Sequence, residues 1–152
     1  MPASLVESPA GPLLLIEDAG KLAEIRFASG EEPDRDDTPL LRMAKKQIAE
    51  FFAGRRRSFN LPLVPARTAF QQRVREAMQS IPWGRTMSYG EIAHVAGGAP
   101  RAVGQACGAN MLPIVVPCHR VVAAQGIGGY SGAHGLDTKR LLLALEKTAA
   151  AG

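Results

Sequence analysis

The side chains best suited to covalent chemistry lie together in one short stretch, Pro117-Cys118-His119-Arg120. A thiol beside an imidazole and a guanidinium is a place where a thiolate, the nucleophilic form of cysteine, can be stabilised. Cysteine is also among the most buried residue types, and Cys118 follows the apolar run Ile114-Val115-Val116. Taken alone, the stretch favours a buried core cysteine over a reactive one, and the rest of the chain has to change that balance.

A proton relay to the thiol can be assembled from the same half of the chain. Cys118 and His119 are neighbours in sequence, so their side chains need not face each other, and a bridging water would carry the proton between them. A base of this kind needs an orienting carboxylate, and Glu146 is the acid set in an apolar helix face. The resulting Glu–His–water–Cys chain would serve either a cysteine hydrolase or an alkyl acceptor.

Two short helices and a tight turn precede this stretch. Ser88-Tyr89-Gly90-Glu91 has the pattern of a capping box and opens a helix through about Ala96. Gly97-Gly98-Ala99 is a turn, and Pro100 begins a second helix that ends near Ala109. The order helix, glycine turn, helix predicts a helix-turn-helix. A further capping box, Thr68-Ala69-Phe70-Gln71, opens the helix before them.

The second helix of this pair is unusually rich in small side chains. After Arg101 it reads Ala-Val-Gly-Gln-Ala-Cys-Gly. Small residues let a helix lie close to a groove wall of nucleic acid, but they offer few hydrogen bonds to base edges, which favours docking without sequence preference. Close packing against another helix inside the protein explains the same composition equally well.

A glycine-rich loop and a last helix follow the cysteine stretch. Five glycines lie between Gly126 and Gly135 and enclose Tyr130 and Ser131. Glycine lets the backbone approach a ligand closely, so we interpret the loop as a pocket wall. Asp137 is expected to cap the last helix, whose apolar face contains Leu141, Leu142 and Leu145 beside Glu146.

The first half of the chain predicts a small sheet and one helix. Two apolar runs around the turn Asp18-Ala19-Gly20 indicate a β-hairpin or a small meander. Thr38 is placed to cap a helix that begins at Pro39 and ends at Gly54. Arg55, Arg56 and Arg57 are interpreted as a solvated loop in preference to a nucleic-acid contact. The proline-punctuated segment Phe59–Pro65 is predicted to be an extended linker, with a domain boundary near residue 65.

Composition narrows the class of protein. The chain has 152 residues, 46% hydrophobic and 21% charged, which is typical of a globular protein of one domain or two small ones. Two cysteines and three histidines provide neither a disulfide framework nor a metal-ligand spacing, and there is no secretory signal or membrane span, so we expect a reduced cytoplasmic protein without metal or cofactor.

The net charge is −1 over residues 1–65 and +5 over residues 66–152, and no acid lies between Glu91 and Asp137. That segment, which contains Arg101 and Arg120, suits either a surface for a polyanion or a buried apolar region.

A series of motifs runs through the second half in a fixed order. They are Phe70-Gln71, Ile81-Pro82, Ser88-Tyr89, Arg101-Ala102-Val103-Gly104, Asn110, Pro117-Cys118-His119-Arg120-Val121-Val122, Gly129-Tyr130-Ser131-Gly132, Lys139 and Glu146. With these motifs the chain resembles the O6-alkylguanine-DNA alkyltransferases, also called methylated-DNA–protein-cysteine methyltransferases. The first half matches only loosely. The resemblance implies an α+β fold, with an N-terminal antiparallel sheet-and-helix domain of ribonuclease H-like type over residues 1–65. A mainly helical domain with a winged helix-turn-helix over residues 66–152 would bind DNA and accept the alkyl group.

The resemblance also implies a role for each catalytic residue. Cys118 is the alkyl acceptor, and its thiolate attacks the carbon on guanine O6. His119 is the water-mediated base and Glu146 its orienting partner. Asn110 braces the turn between the second helix and the active-site strand. Tyr89 crowds the 3′ phosphate, and its hydroxyl protonates the departing guanine.

The implied partner is double-stranded DNA that carries O6-alkylguanine, and O4-alkylthymine is a further implied lesion. Arg101 enters the base stack where the damaged nucleotide is flipped out. The DNA-binding residues implied by the resemblance are Arg101, Ala102, Val103, Gly104, Gln105, Tyr89 and Gln71, and they approach through the minor groove. The substrate pocket is implied at Tyr130, Ser131, Pro113 and Val121. The reaction is irreversible and needs no metal or cofactor, and the protein is expected to act as a monomer.

The chain departs from the family pattern at several positions, and two other classes of function remain compatible with the sequence. Arg75 stands where most relatives have Trp, and the turn before Arg101 is two residues shorter than usual. A non-catalytic sensor of alkylated DNA would use the same helix-turn-helix without needing Cys118. A cysteine hydrolase would use Cys118, His119 and Glu146 without needing the basic half.

Overall fold

The computed structural model describes residues 1–28, 36–130 and 135–151. The chain divides into two compact units, Met1–Val64 and Pro65–Gly152. Each unit is built from elements that the local sequence largely determines. The fold class is the α+β class that the sequence predicted, with a small antiparallel sheet first and helices after it.

The first unit contains a three-stranded antiparallel meander, β1 (Ala3–Val6), β2 (Leu13–Asp18) and β3 (Lys21–Phe27). Ala19 and Gly20 both have positive φ, 51° and 81°, which is the requirement of a type I′ hairpin turn between β2 and β3. The prediction of a hairpin or meander is therefore confirmed.

One helix, α1 (Pro39–Phe52), completes the first unit, and it begins as predicted. The Thr38 hydroxyl accepts a hydrogen bond from the Leu41 amide at 3.1 Å, and Pro39 occupies the first helical position. One face of the helix is buried and consists of Leu40, Leu41, Ala44, Gln47, Ile48 and Phe51.

The segment predicted to be an extended linker is hydrogen-bonded to the first unit. Leu22, in β3, accepts a hydrogen bond from Val64 at 2.9 Å and donates one to the Pro62 carbonyl at 2.8 Å. The side-chain amide of Gln47 bonds both backbone groups of Asn60, at 2.9 and 3.0 Å. The prolines give the extended shape that was expected, but the chain pairs with the sheet edge because the backbone groups between the prolines remain able to bond. Arg56, in the triple arginine, pairs with Glu50 at 2.9 Å.

The second unit is mainly helical. Its elements are α2 (Ala69–Gln79), β4 (Met87–Ser88), α3 (Tyr89–Ala96), α4 (Pro100–Gly108), a 3-10 turn (Cys118–Arg120), β5 (Val121–Val122) and α5 (Leu136–Ala151). Strands β4 and β5 pair in parallel, Met87 with Val121 and Ser88 with Val122. The core of this unit is formed by fully buried apolar side chains, among them Val74, Met78, Ile92, Val103, Leu112, Val116 and Leu142.

The helix ends agree with the sequence in part. Ser88 and Glu91 form the complete predicted capping box. At the start of α2, the Thr68 hydroxyl accepts from the Gln71 amide at 3.0 Å, so only this half of the second predicted box is formed. Asp137 lies inside the first turn of α5 and does not precede it, because the helix already begins at Leu136. Within the ranges that the structure describes, no helix is long and apolar enough to cross a membrane.

Candidate active site around Cys118

Cys118 begins the 3-10 turn and is 8% exposed. The apolar run before it forms no strand, although β-branched residues favour one. It is a series of tight turns, in which the Val116 amide bonds the Leu112 carbonyl at 2.8 Å and the Val115 amide bonds the Pro113 carbonyl at 2.9 Å. Prolines at positions 113 and 117 have no amide hydrogen to donate to a sheet ladder, which explains why this run bends.

The turn before Cys118 contains a strained residue. Ile114 is fully buried with φ 75°, a conformation that β-branched side chains rarely adopt. The bond from Val115 to the carbonyl of Pro113 spans it, which is the pattern of a strained γ-turn. Such a conformation persists only where the surroundings over-determine it.

Asn110 supplies that constraint. Its side-chain oxygen accepts from the Leu112 amide at 3.1 Å, and its side-chain nitrogen donates to the Val116 carbonyl at 3.1 Å. The two bonds join the start and the end of the strained turn. Asn110 therefore braces the backbone that leads to Cys118, although it braces a turn and not the junction with a strand.

The surroundings of Cys118 have opposing effects on the pKa of its thiol. Burial raises the pKa of the Cys118 thiol, while a hydrogen bond from Asn110 and the charge of Lys139 both lower that pKa. The balance stays on the side of a raised pKa, so the resting thiol is protonated. Attack by sulfur therefore needs a base.

A buried three-residue network lies directly after the thiol. His119 Nε2 is 2.6 Å from Glu146 Oε2, and both side chains are fully buried. Arg120 donates Nε to Glu146 Oε1 at 2.9 Å and Nη2 to Oε2 at 2.9 Å. Its remaining Nη1 donates to the Ile81 carbonyl at 2.7 Å. The carboxylate is thus held from two sides, by an imidazole and by a guanidinium.

The protonation states of this network follow from burial and hydrogen bonding. Burial lowers the pKa of His119, although its hydrogen bond to Glu146 acts in the opposite direction. Burial alone would raise the pKa of Glu146, but hydrogen bonds from His119 and Arg120 bring that pKa below its usual value. A neutral His119 that donates Nε2–H to an ionised Glu146 carries its lone pair on Nδ1. That nitrogen is the one able to receive a proton.

Arg120 decides between the two interpretations left open for its part of the chain, and it is a site residue that the sequence reasoning missed. It does not lie on a polyanion-binding surface: it is 5% exposed and pairs with Glu146. Burial therefore explains part of the absence of acidic residues between Glu91 and Asp137. The sequence signal that could have identified Arg120 is its position next to His119, since two neighbouring residues of a 3-10 turn can reach the same carboxylate.

A cavity of about 290 Å³ opens beside Cys118. It brings together residues of α3, α4, the cysteine turn and the glycine-rich loop: Tyr89, Gly104, Cys107, Gly108, Cys118, Gly129 and Tyr130. Tyr130 thus lies where the sequence placed the pocket. Pro113 and Val121 do not line this cavity, because Pro113 packs in the buried turn and Val121 is fully buried in the strand pair with Met87. Ser131 lies outside the described residues.

The glycine-rich loop closes on Tyr89. The Gly129 amide donates to the Tyr89 hydroxyl at 3.3 Å. Gly128 has φ 77°, and a Cβ at this position would be 2.8 Å from the same hydroxyl oxygen, so only glycine fits without a shift. Burial raises the pKa of Tyr89, which keeps its hydroxyl protonated and able to donate.

Lys139 is a second residue that sequence reasoning left without a role. Its ammonium donates to the Val121 carbonyl at 2.6 Å and to the Gly129 carbonyl at 3.0 Å, and it lies 6.0 Å from the centre of the Tyr89 ring. Burial lowers the pKa of Lys139, and the nearby thiols Cys118 and Cys107 act in the opposite direction. Lys139 therefore joins the strand after the active-site turn to the loop that walls the cavity.

Helix α4 presents two different faces. Val103 is fully buried and Ala106 nearly so, whereas Arg101 and Gln105 are exposed and Ala102 and Gly104 are half-buried. Val103 therefore packs inside the protein, because the helical period turns it toward the core. The prediction that Val103 contacts DNA is wrong. Gln71, in the first turn of α2, is half-buried and does not line the cavity.

Cys107, on α4, is the other thiol of the cavity. It is half-buried, with its sulfur 3.7 Å from the Met78 sulfur, and burial raises its pKa to about 12. No cluster of three or more metal-ligating side chains occurs among residues 1–28, 36–130 and 135–151.

A helix-turn-helix beside a buried Cys, His and Glu defines a class of proteins that combine DNA binding with cysteine chemistry. Comparison with known proteins identifies the family. The model described as "6-O-methylguanine DNA methyltransferase, DNA binding domain" matches residues 69–148, and "6-O-methylguanine DNA methyltransferase, ribonuclease-like domain" matches residues 1–65. The chain belongs to the 6-O-methylguanine DNA methyltransferase family, as its motifs predicted.

Individual relatives agree along almost the whole chain. The methylated-DNA–protein-cysteine methyltransferase of Methanosarcina acetivorans is 43% identical, over 94% of this chain and 96% of the relative. The constitutive enzyme of that name from Bacillus subtilis is 40% identical, over 93% and 92%. The crystal structure of Mycobacterium tuberculosis OGT in complex with DNA superposes with a TM-score of 0.85 at 42% identity, covering 97% of this chain and 93% of that one.

Proposed function

We propose that this protein repairs DNA by transferring the alkyl group of O6-alkylguanine to the sulfur of Cys118, once per molecule. The observation that carries the proposal is the Cys118 thiol in the wall of a cavity, directly before the buried network of His119, Glu146 and Arg120. The similarity to enzymes named methylated-DNA–protein-cysteine methyltransferases supports it.

The proposed reaction is an in-line displacement. The lone pair of His119 Nδ1 takes the thiol proton of Cys118 through a water molecule, while Glu146 holds the imidazole and stabilises its charge. The thiolate forms a bond to the alkyl carbon as the bond from that carbon to guanine O6 breaks. Because a thioether is not readily hydrolysed, the protein is consumed in the reaction.

Tyr89 is placed to protonate the departing guanine. Its hydroxyl oxygen accepts a hydrogen bond from Gly129, which leaves its own hydrogen available for another acceptor. The raised pKa of Tyr89 keeps that hydrogen on the oxygen at neutral pH. Among the other pocket residues we propose Tyr130 as a wall for the base, and Ser131 as a neighbour of O6.

Access to Cys118 requires that the base leave the duplex, since the sulfur is buried. We propose that the exposed face of α4 enters the minor groove, with Arg101 in the base stack and Ala102, Gly104 and Gln105 along the groove. Gln71 is proposed as a contact outside the cavity. The protein is proposed to act as a monomer on double-stranded DNA, in the cytoplasm, with residues 66–152 as the domain that binds and reacts.

Intact-mass measurement tests the proposal. After incubation with a duplex oligonucleotide containing O6-methylguanine, we expect the protein to gain one methyl group per molecule and then stop. The variant Cys118→Ala should gain none, and Cys107→Ala should still gain one. An unmodified wild-type protein would favour the sensor, continued turnover would favour the hydrolase, and a methyl group on Cys118→Ala would place the acceptor elsewhere.

A further inference from the structure

The turn between α3 and α4 lacks the usual means of holding a helix start. Ala99 precedes α4 and provides no side-chain hydrogen bond to cap it. The two residues before it, Gly97 and Gly98, have φ of 77° and 145°, which are conformations open mainly to glycine. The direction of α4, and with it the position of Arg101, must therefore be determined by contacts from outside the turn.

Phe70, in the first turn of α2, provides one of these contacts. A Cβ built on Gly98 would be 2.8 Å from Cε1 and 3.2 Å from Cζ of the Phe70 ring. The ring thus lies directly against the backbone of the turn, in space that any larger residue at position 98 would need. This close approach explains why the turn has glycine at this position.

Arg73 provides a second contact to the turn, one helical turn after Phe70 on the same face of α2. Its Nε donates a hydrogen bond of 2.8 Å to the carbonyl of Ala96, the last residue of α3. Its guanidinium lies 5.6 Å from the centre of the Phe70 ring. A cation at this place satisfies a carbonyl at the helix end, where the helix dipole favours positive charge.

We propose that Arg73 is a positioning residue for DNA-borne substrates: it acts with Phe70 to hold the glycine turn at the angle that places α4 and Arg101 for entry into the duplex. The proposal rests on the function proposed above. It assigns Arg73 no contact with the reacting atoms, since the arginine bonds the end of α3 and not the cavity around Cys118.

The test compares a lesion in DNA with a free base. For Arg73→Ala we expect the rate with an O6-methylguanine duplex to fall about tenfold, the size of effect expected for one charge-assisted hydrogen bond. The rate with free O6-benzylguanine, which needs no helix-turn-helix, should stay within about twofold of wild type. Arg73→Lys should recover much of the loss, because lysine also offers a charged donor to the carbonyl. Arg140→Ala is the matched control, since it removes an exposed arginine from α5 and should change neither rate by more than about twofold.

Two further measurements separate positioning from a direct phosphate contact. Amide hydrogen exchange of the free protein should become faster at residues 97–103 in Arg73→Ala and stay unchanged in Arg140→Ala. The salt dependence of duplex binding should keep its slope, whereas loss of a phosphate contact would reduce that slope by about 0.9. Equal losses on both substrates, unchanged exchange at the turn, or a reduced slope would each overturn the proposal. Failure of the wild-type protein to react with either substrate would instead contradict the proposed function.

Discussion

Two thiols line one cavity, and their surroundings differ in the features that determine reactivity. Burial raises the pKa of both thiols, and the charge of Lys139 acts to lower both. Cys118 differs in lying in a turn braced by Asn110, whose hydrogen bond also acts to lower the Cys118 pKa. Cys107 lies on helix α4 against the sulfur of Met78, and burial raises its pKa to about 12. Cys107 is nevertheless the more accessible of the two. Under the proposed function, the network behind the thiol selects the acceptor, and exposure does not.

Removing the carboxylate of that network should have the largest effect. In Glu146→Gln the guanidinium of Arg120 stays buried without a compensating charge, and we expect the free energy of unfolding to fall by about 3 kcal/mol. Urea unfolding measures this loss. Asp137→Asn, an exposed carboxylate of the same helix, is the matched control and should lie within about 0.5 kcal/mol of wild type. Equal stabilities for the two variants would contradict the role given to Glu146.

Removing the Asn110 side chain should make the pKa of Cys118 more like that of Cys107. Asn110→Ala loses two hydrogen bonds across the strained turn, which are together worth about 2 kcal/mol of stability. It also removes an interaction that lowers the pKa of Cys118, so the rate of alkylation by free O6-benzylguanine should rise only at higher pH than in wild type. Gln79→Ala, an exposed amide on α2, should leave both the stability and the pH profile unchanged. A profile that stays in place for Asn110→Ala would show that the side chain does not act on the thiol.

The pH dependence of stability reports on His119. Burial lowers the pKa of His119 below 6.5 in the folded protein, so the unfolded chain binds a proton first as the pH falls. Stability present above pH 6.5 should therefore be lost below it, by up to about 1.4 kcal/mol per pH unit. Urea unfolding at pH 7 and pH 5.5 measures the loss, which should shrink in His119→Gln and persist in His94→Gln, an exposed histidine on α3. The same loss in both variants would assign the titration to another group.

The smallest expected effect concerns the loop that closes the cavity. Gly128→Ala places a Cβ 2.8 Å from the Tyr89 hydroxyl, and Gly126→Ala, also at positive φ, meets nothing within 4 Å. Both variants carry backbone strain of about 1 kcal/mol, so their difference reports the contacts of the added Cβ, which are the Tyr89 side chain and, at 3.2 Å, the backbone nitrogen of Ala123. We expect Gly128→Ala to react a few-fold more slowly than Gly126→Ala with free O6-benzylguanine. Identical rates would mean that the loop does not position Tyr89.

The elements could be predicted from the sequence wherever the signal is local. The caps at Thr38 and Ser88 and the turn at Ala19-Gly20 depend on residues within four positions of each other, and these elements begin and end where expected. The turn at Ile114 could not be predicted, because β-branched residues favour a strand and only the bonds of Asn110 stabilise the alternative. Tertiary contacts here outweigh local preference.

The features of the site also divide into those that the sequence could predict and those that it could not. The link between His119 and Glu146 was predicted from chemistry, because few acids occur in this half of the chain. The burial of Arg120 depends on the same carboxylate 26 residues away, and a sequence pattern does not show which of two neighbouring cations is enclosed. The inward direction of Val103 was within reach, since its position one turn before Ala106 places both on one face of α4.

The most direct measurement is the location of the transferred group in a protein that keeps both thiols. Cys107 and Cys118 fall in one tryptic peptide, residues 102–120, so fragment-ion mass spectrometry has to assign the methyl group within it. After reaction with an O6-methylguanine duplex, we expect the methyl group on Cys118 alone, with Cys107 unmodified. A methyl group on Cys107 would contradict the account, because it would show that accessibility, and not the network behind Cys118, selects the acceptor.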